Sequence, residues 1–289
     1  MFDICCIGHI TADKVVTPQS VKYMPGGTAY YFSCAVAKLD ISYILATALA
    51  PAEVHYVQEL RNLGINVQVK PSAYTLYFEN IYGSDPDERT QNVLQKADAF
   101  HIDQLRQIDA KIFHLGPLLA DNISIDIIKA LATKSTVSLD VQGYLRKVVN
   151  NKVYAANWPD KQEALQYIRT LKADEAELKA LTNCNDVYDG ARSLADNGVK
   201  EVVITNGSKG SFIYSAGVFY TIPAYRPKIV IDATGCGDTY MAGYLYKRLK
   251  GAGIQQSGEF AAAMASLKME VAGPFTGIEE DITRFLVDN

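Results

Sequence analysis

The sequence predicts an α/β protein, a mostly parallel sheet with helices on both faces, and three observations carry that reading. Short apolar, β-rich runs alternate along the chain with segments of helical period, the order that builds a parallel sheet covered on both sides. Residues 70–95 break the alternation with two aromatic-rich, period-two segments around an acidic turn, Gly83 to Glu88. The composition, 48% apolar and 21% charged over 289 residues with Gly 20 and Pro 10, supports a sizeable core rather than a disordered or collagen-like chain.

The elements follow in order. Residues 3–9, DICCIGH, read as a buried strand, and Gly26-Gly27 opens a small-residue helix over 28–39. A strand follows at 42–49. Pro51 and Gly64 then bracket a helix, because proline's fixed φ suits the first turn and glycine tolerates the conformation just past the last. Residues 111–118 are a strand, and the next helix begins near Asp121, an N-cap residue type. A strand at 136–141, a helix at 186–197 closed by Gly198 and a strand at 201–207 come next. Residues 211–216 and 218–223 form the arms of a hairpin. Apolar Ile229–Ile231 reads as a further strand, and helices dominate from about 236 to 250 and 256 to 271. Lone hairpins seldom survive in water, so 70–95 is expected to pack as a small sheet projecting from the main body, joined by strands from 10–22. A single domain over 1–289 is expected.

Several function classes fall away. A net charge of −4 argues against a dedicated nucleic-acid or membrane-surface binder. No apolar run approaches the roughly 18 to 20 residues that span a bilayer, and Asp3 stands where a signal peptide would carry basic residues. The five cysteines (Cys5, Cys6, Cys34, Cys184, Cys236) are odd in number and lack CxxC spacing, so neither a disulfide framework nor a zinc site is expected. A cytoplasmic location fits all three.

The chemistry concentrates in IVIDATGCGDTYMAGYLYKRL, residues 229–249. Glycines at a strand-to-helix turn let successive amides point outward at a helix N-terminus, whose partial positive charge favours an anion. The amides of Gly235, Cys236 and Gly237 form that candidate anion hole. Asp238 follows at once, and two readings of it stand open. It caps the helix, as aspartate often does, or it takes a proton from a hydroxyl attacking a phosphoryl group held by those amides. A dinucleotide fingerprint fails because Tyr240 stands at its third glycine, and no GxxxxGK[ST] loop occurs.

The run Asp232-Ala-Thr-Gly-Cys-Gly-Asp238 resembles the DTxGAGD signature of the ribokinase-like (PfkB) carbohydrate and nucleoside kinases. Four further matches fall in the family's order: Gly8–Asp13, Gly26-Gly27-Thr-Ala-Tyr-Tyr, Asp174-Glu-Ala-Glu177 and Thr205-Asn-Gly207-Ser-Lys-Gly210. The resemblance implies a doubly wound α/β domain with a β-sheet lid, which accounts for 70–95. It implies an ATP-dependent kinase for a small sugar or polyol, with Asp238 as general base and the 235–237 amides stabilising the transferring phosphoryl. Asp13 would bind substrate hydroxyls, with Gly26, Gly27, Tyr31 and Arg146 beside it. Asp174 and Glu177 would organise Mg²⁺, partly through water, and Thr205, Gly207 and Gly210 would contact nucleotide. A monovalent cation such as K⁺ is expected beside the anion loop, near Asp232 and Ala272–Gly273, and a homodimer through the lid.

The departures bear on the acceptor. Tyr31 and Thr11 stand where the family commonly has asparagines, and Asp174 replaces the asparagine of NxxE. The cluster Tyr23, Tyr30, Tyr31 and Phe32 reads equally as a surface for stacking a base and as core packing. Arg89 and Gln91, with 140–146, lean toward the inositol- and nucleoside-type branch. His114 reads as a core residue, His9 as a candidate for substrate contact. A nucleoside or inositol kinase, and a non-catalytic binding protein on this fold, remain alternatives.

Overall fold

The computed structural model describes residues 1–82 and 89–289, except the Arg89 side chain; the expected acidic turn, Gly83 to Glu88, lies outside them. Among the described residues the strands fall into two sheets. The larger runs in the order β15 (Val218–Ile222), β14 (Ser211–Ser215), β13 (Glu201–Thr205), β12 (Thr170–Asp174), β9 (Thr136–Asp140), β8 (Ala110–Gly116), β1 (Phe2–Gly8), β4 (Tyr43–Leu49), β5 (Asn66–Pro71). Its strands are parallel from β5 to β13, and β14 and β15 add an antiparallel edge. The smaller runs β10 (Arg146–Val149), β11 (Lys152–Ala155), β7 (Arg89–Gln95), β6 (Leu76–Tyr82), β2 (Thr11–Val16), β3 (Val21–Gly26).

Helices cover both faces of the large sheet, and strand alternation sends side chains into both layers. Ile4 and Cys6 pack among α1 (Gly27–Val36), α2 (Val54–Asn62), α7 (Cys236–Leu249), α8 (Ile254–Met269) and α9 (Glu279–Asp288). Cys5 and Ile7 pack among α3 (Ile125–Lys134), α4 (Lys161–Ala164), α5 (Glu175–Thr182) and α6 (Val187–Asp196). A third cluster, Leu76, Phe78 and Val93 against Leu118 and Leu119, fastens the small sheet to the loop after β8. Among the described residues no helix is long and apolar enough to cross a membrane.

Three expectations change. Ile229–Ile231 is not a strand: these residues are 58%, 65% and 54% exposed and run past the end of α8, where the Ile231 amide donates to Met269 O at 2.8 Å. The helix expected near Asp121 starts at Ile125, because Asn122 Oδ1 accepts the amides of Leu118 and Leu119, both at 3.0 Å, and holds that stretch as a turn. β5, β10, β11, β12 and α9 add elements that the alternation did not mark.

Candidate active site

The carboxyl ends of the central strands, where ligands sit in open α/β sheets, meet the head of α7, and the small sheet closes over them. Between the two lies a cavity of about 1200 Å³, lined by Asp13, Phe78, Asn80 and Gln91 from the small sheet and by Gly27 and Tyr31 of α1. Gln142, Arg146, the Asp232–Gly235 loop, Asp238 and Ala272–Gly273 complete the wall.

The loop into α7 has little freedom. Gly235 takes φ 75°, and a Cβ there would stand 2.2 Å from Tyr31 Cδ1, so only glycine lets the chain turn over that ring. Among the described residues the amides of Gly235 and Gly237 have no protein acceptor, whereas that of Cys236 donates to Ala233 O at 3.3 Å. Two of the three expected anion-hole donors are therefore open. The Cys236 thiol donates to Ala265 O at 3.7 Å, and burial pushes its pKa up to about 11, so it stays protonated at neutral pH.

Asp238 stands in the first turn of α7, yet no hydrogen bond makes it a cap. Thr28 stands beside it on the cavity wall and favours its ionised form. Burial and the Asp140 carboxylate push its pKa up from 3.8 to about 7, against the opposing pull of Lys172, Thr28 and Arg146.

Behind the α7 head lies a charge network the sequence did not reveal. Lys172, in the register position beside Asp140, is 6% exposed and lies 3.0 Å from Asp140 Oδ2 and 3.7 Å from Glu177 Oε2. A Cβ on Gly237 would come 3.3 Å from Lys172 Nζ, so the ammonium lies beside Gly237 at the head of α7. Burial opposes its charge, but Asp140, Glu177 and Asp238 together hold its pKa well above the ordinary lysine value.

Asp174 and Glu177 form a capping box at the start of α5: Asp174 Oδ1 accepts the Glu177 amide at 2.7 Å and Glu177 Oε2 the Asp174 amide at 2.8 Å. Burial raises the Glu177 pKa, partly offset by Lys172. Among the described residues the other oxygen of each carboxylate has no hydrogen-bonding partner, and no group of three acidic, His or Cys side chains could hold a metal. That arrangement fits a Mg²⁺ ion kept at one remove by its own waters, as that ion commonly is.

Asp13, on β2 at the cavity wall, accepts from Thr11 Oγ1 at 2.7 Å. A Cβ on Gly26 would meet its Oδ2 at 2.3 Å, and one on Gly27 would meet His9 O at 2.5 Å. Gly26 gives the carboxylate its space, and Gly27 lets the chain pass the His9 carbonyl. Gln91 Nε2 donates to Asn80 Oδ1 at 2.9 Å, so two amide side chains are fixed together on the same wall. The aromatic cluster divides. Tyr30, Tyr31 and Phe32 are buried, with Phe32 stacked on His114, while Tyr23 is 67% exposed and lines no part of the cavity. Core packing thus accounts for Tyr30 and Phe32, whereas Tyr31 reaches the cavity, and among the described residues its buried hydroxyl has no partner.

His9 is also removed from the acceptor side. It is fully buried, its Nε2 lies 3.0 Å from Asp98 O, and burial lowers its pKa to about 4. Thr205, Gly207 and Gly210 lie outside the cavity wall. Their loop closes on itself through Asn206 N to Gly210 O at 2.9 Å, and Gly210 is glycine because a Cβ would meet Ile222 O at 2.2 Å.

A family model described as pfkB family carbohydrate kinase matches residues 1–281. The cytidine kinase of Thermococcus kodakarensis is 29% identical over 271 residues, covering 89% of this chain and 92% of that protein. A solved pyrophosphate-dependent kinase in the ribokinase family, complexed with a pyrophosphate analog and myo-inositol, superposes with TM-score 0.86 at 27% identity over 97% of this chain and 99% of that one. Ribokinase of Arabidopsis thaliana, complexed with ribose and ATP, has the same fold, with TM-score 0.80 at 22% identity over 99% and 98% of the two chains.

Proposed function

The chain belongs to the pfkB family of carbohydrate kinases, and we propose that it transfers the terminal phosphoryl group of ATP to a hydroxyl of a small, hydroxyl-rich acceptor, a sugar or cyclitol. The observation that carries this reading is Asp238. It is a carboxylate at the cavity wall with a pKa near 7, next to a helix head whose Gly235 and Gly237 amides are open. A bare anion site would gain nothing from an acid beside it. A phosphotransferase needs one.

The acceptor lies between the two sheets, hydrogen-bonded to Asp13 and to the Asn80–Gln91 pair. Arg146 supplies a cation on the same wall. Asp13, Asn80, Gln91 and Arg146 place both hydrogen-bond donors and acceptors on this wall, which suits the hydroxyls of such an acceptor. The Asp238 carboxylate removes the proton of the attacking hydroxyl. The acceptor oxygen bonds to the terminal phosphorus as the bond from that phosphorus to the bridging oxygen breaks, and ADP departs with the electron pair. Charge on the transferring group is met by the open amides, worth about 10² to 10³ in rate per donor, and by Lys172 beside Gly237. Glu177 and Asp174 would hold magnesium through its waters, and the ion would supply positive charge to the donor phosphates. The small sheet serves as the lid that keeps water out. Val21 and Tyr23, exposed on its edge strand, support pairing of two chains there.

A second reading takes pyrophosphate as the donor. The likeness to the pyrophosphate-dependent kinase supports it, as does a cavity wall that includes the anion loop but omits Thr205, Gly207 and Gly210. A product-release screen with both donors, each against sugars, cyclitols and nucleosides, tests the proposal. Transfer to a sugar or cyclitol supports it. Turnover confined to nucleosides would replace the acceptor class, and release of product without any acceptor dependence would remove the kinase reading.

A further inference from the structure

The family resemblance predicts a monovalent cation beside Asp232, and the residues there do not fit one. Lys268, in the last turn of α8, has 0% exposure. Its Nζ donates to Asp232 O at 2.7 Å and lies 2.9 Å from Asp232 Oδ2, and it stands 5.8 Å from the centre of the Tyr31 ring. A carbonyl and a carboxylate oxygen from one loop residue are the hard donors a monovalent cation would use. An ammonium and a potassium ion carry the same charge and are close in size, so an ion on those oxygens would be driven out by the resident charge.

The network around Asp232 shows what that ammonium does. Asp232 Oδ1 accepts the Thr234 amide at 2.9 Å and Oδ2 the Gly273 amide at 3.1 Å. Burial alone would raise the Asp232 pKa. The Thr234 amide and Lys268 outweigh it, so the carboxylate stays ionised. Asp232 therefore ties both loops of the expected cation site, and Tyr31, under the same ammonium, is the ring over which Gly235 turns. We propose that Lys268 is a tethered cation occupying the monovalent-cation position. On this view it holds the 232–237 loop so that the Gly235 and Gly237 amides face the transferring phosphoryl, and the enzyme needs no added K⁺. Lys268 is a positioning residue. It acts through Asp232 and Tyr31 on the amides, and this role rests on the kinase reading above.

The test is a salt-replacement series at constant ionic strength on the full chain. With K⁺, Na⁺ or tetramethylammonium as the only added monovalent cation, wild-type turnover is expected to agree within about twofold, and its melting temperature to be the same in each salt, since an occupied site takes no ion and linkage contributes nothing. Lys268→Met removes the charge at similar volume. In tetramethylammonium its kcat should fall about a hundredfold, the scale of a misplaced reacting group. K⁺ should raise both its turnover and its melting temperature, by entering the vacated oxygens. Wild-type turnover that climbs about tenfold with K⁺ (roughly 1.4 kcal/mol), or a wild-type melting temperature that rises with K⁺, overturns the proposal. So does a folded Lys268→Met protein indifferent to K⁺. If that variant does not fold, the wild-type series decides. A wild type with no turnover on any acceptor sinks the kinase reading, and the melting comparison still decides this one.

Discussion

Replacing Asp238 by asparagine separates what the carboxylate does for catalysis from what it costs the fold. The shape is kept and the proton acceptor is lost, so kcat should fall about 10² to 10⁴, the usual range for a general base. Nucleotide affinity should stay the same. The wild-type kcat/KM should rise through pH 7, where Asp238 ionises, and one pH unit below that only about a tenth of the carboxylate is ionised. The variant should lose that slope. Stability moves the other way. The folded pKa, about 7, lies above the ordinary 3.8, so the folded state binds the proton more tightly. The stability that proton supplies is complete below pH 3.8 and lost as pH rises through 7. Ionising the buried group therefore costs up to about 4 kcal/mol at pH 8, a cost the asparagine escapes. Urea unfolding at pH 4 and pH 8, beside the pH–rate profile, reads both effects. Undiminished turnover would refute the base assignment, and equal stability gaps at the two pH values would refute the burial argument.

Three further outcomes follow from the same geometry. Lys172→Met leaves Asp140 and Glu177 without their buried partner, a loss of about 3 to 5 kcal/mol in unfolding free energy. Because Lys172 pulls the Asp238 pKa down, the midpoint of the kcat/KM profile should move to higher pH, and an unmoved midpoint contradicts the coupling. Glu177→Gln retains a capping side chain while removing charge, so the Mg²⁺ concentration at half-maximal rate should rise, and identical titration curves would contradict its assigned role. Asn80→Leu breaks the Gln91 hydrogen bond and leaves Gln91 unpaired at the wall, so the acceptor KM should rise about tenfold or more with the donor KM unchanged. A change confined to the donor KM would move the acceptor away from that wall.

Much of the fold was legible because alternation of strand and helix is a local pattern. The positions of Gly26-Gly27 and Asp238 were legible because each sits at a glycine turn, and that of Asp13, inside β2, because it closes the Gly8–Asp13 match. What escaped was set by tertiary contact. Lys172 is a single charge inside TLKAD, and only the pairing of β12 with β9 puts it beside Asp140. Lys268 is one lysine in a helix's last turn, and only the fold brings the 232 loop to it. Ile229–Ile231 has strand composition but no neighbouring strand to pair with. Tyr30, Tyr31 and Phe32 follow Gly26-Gly27 in sequence, and only the packing of α1 shows that Tyr30 and Phe32 face the core while Tyr31 reaches the cavity.

The account rests on a hydroxyl placed between Asp238 and a phosphoryl group held at the head of α7. A crystal structure of the Asp238→Asn variant with an accepted substrate and donor bound measures this directly. The account predicts one acceptor hydroxyl within roughly 3 Å of the side chain at position 238, and the donor's terminal phosphate against the Gly235 and Gly237 amides. A terminal phosphate elsewhere, or an acceptor with no hydroxyl facing that side chain, would contradict it.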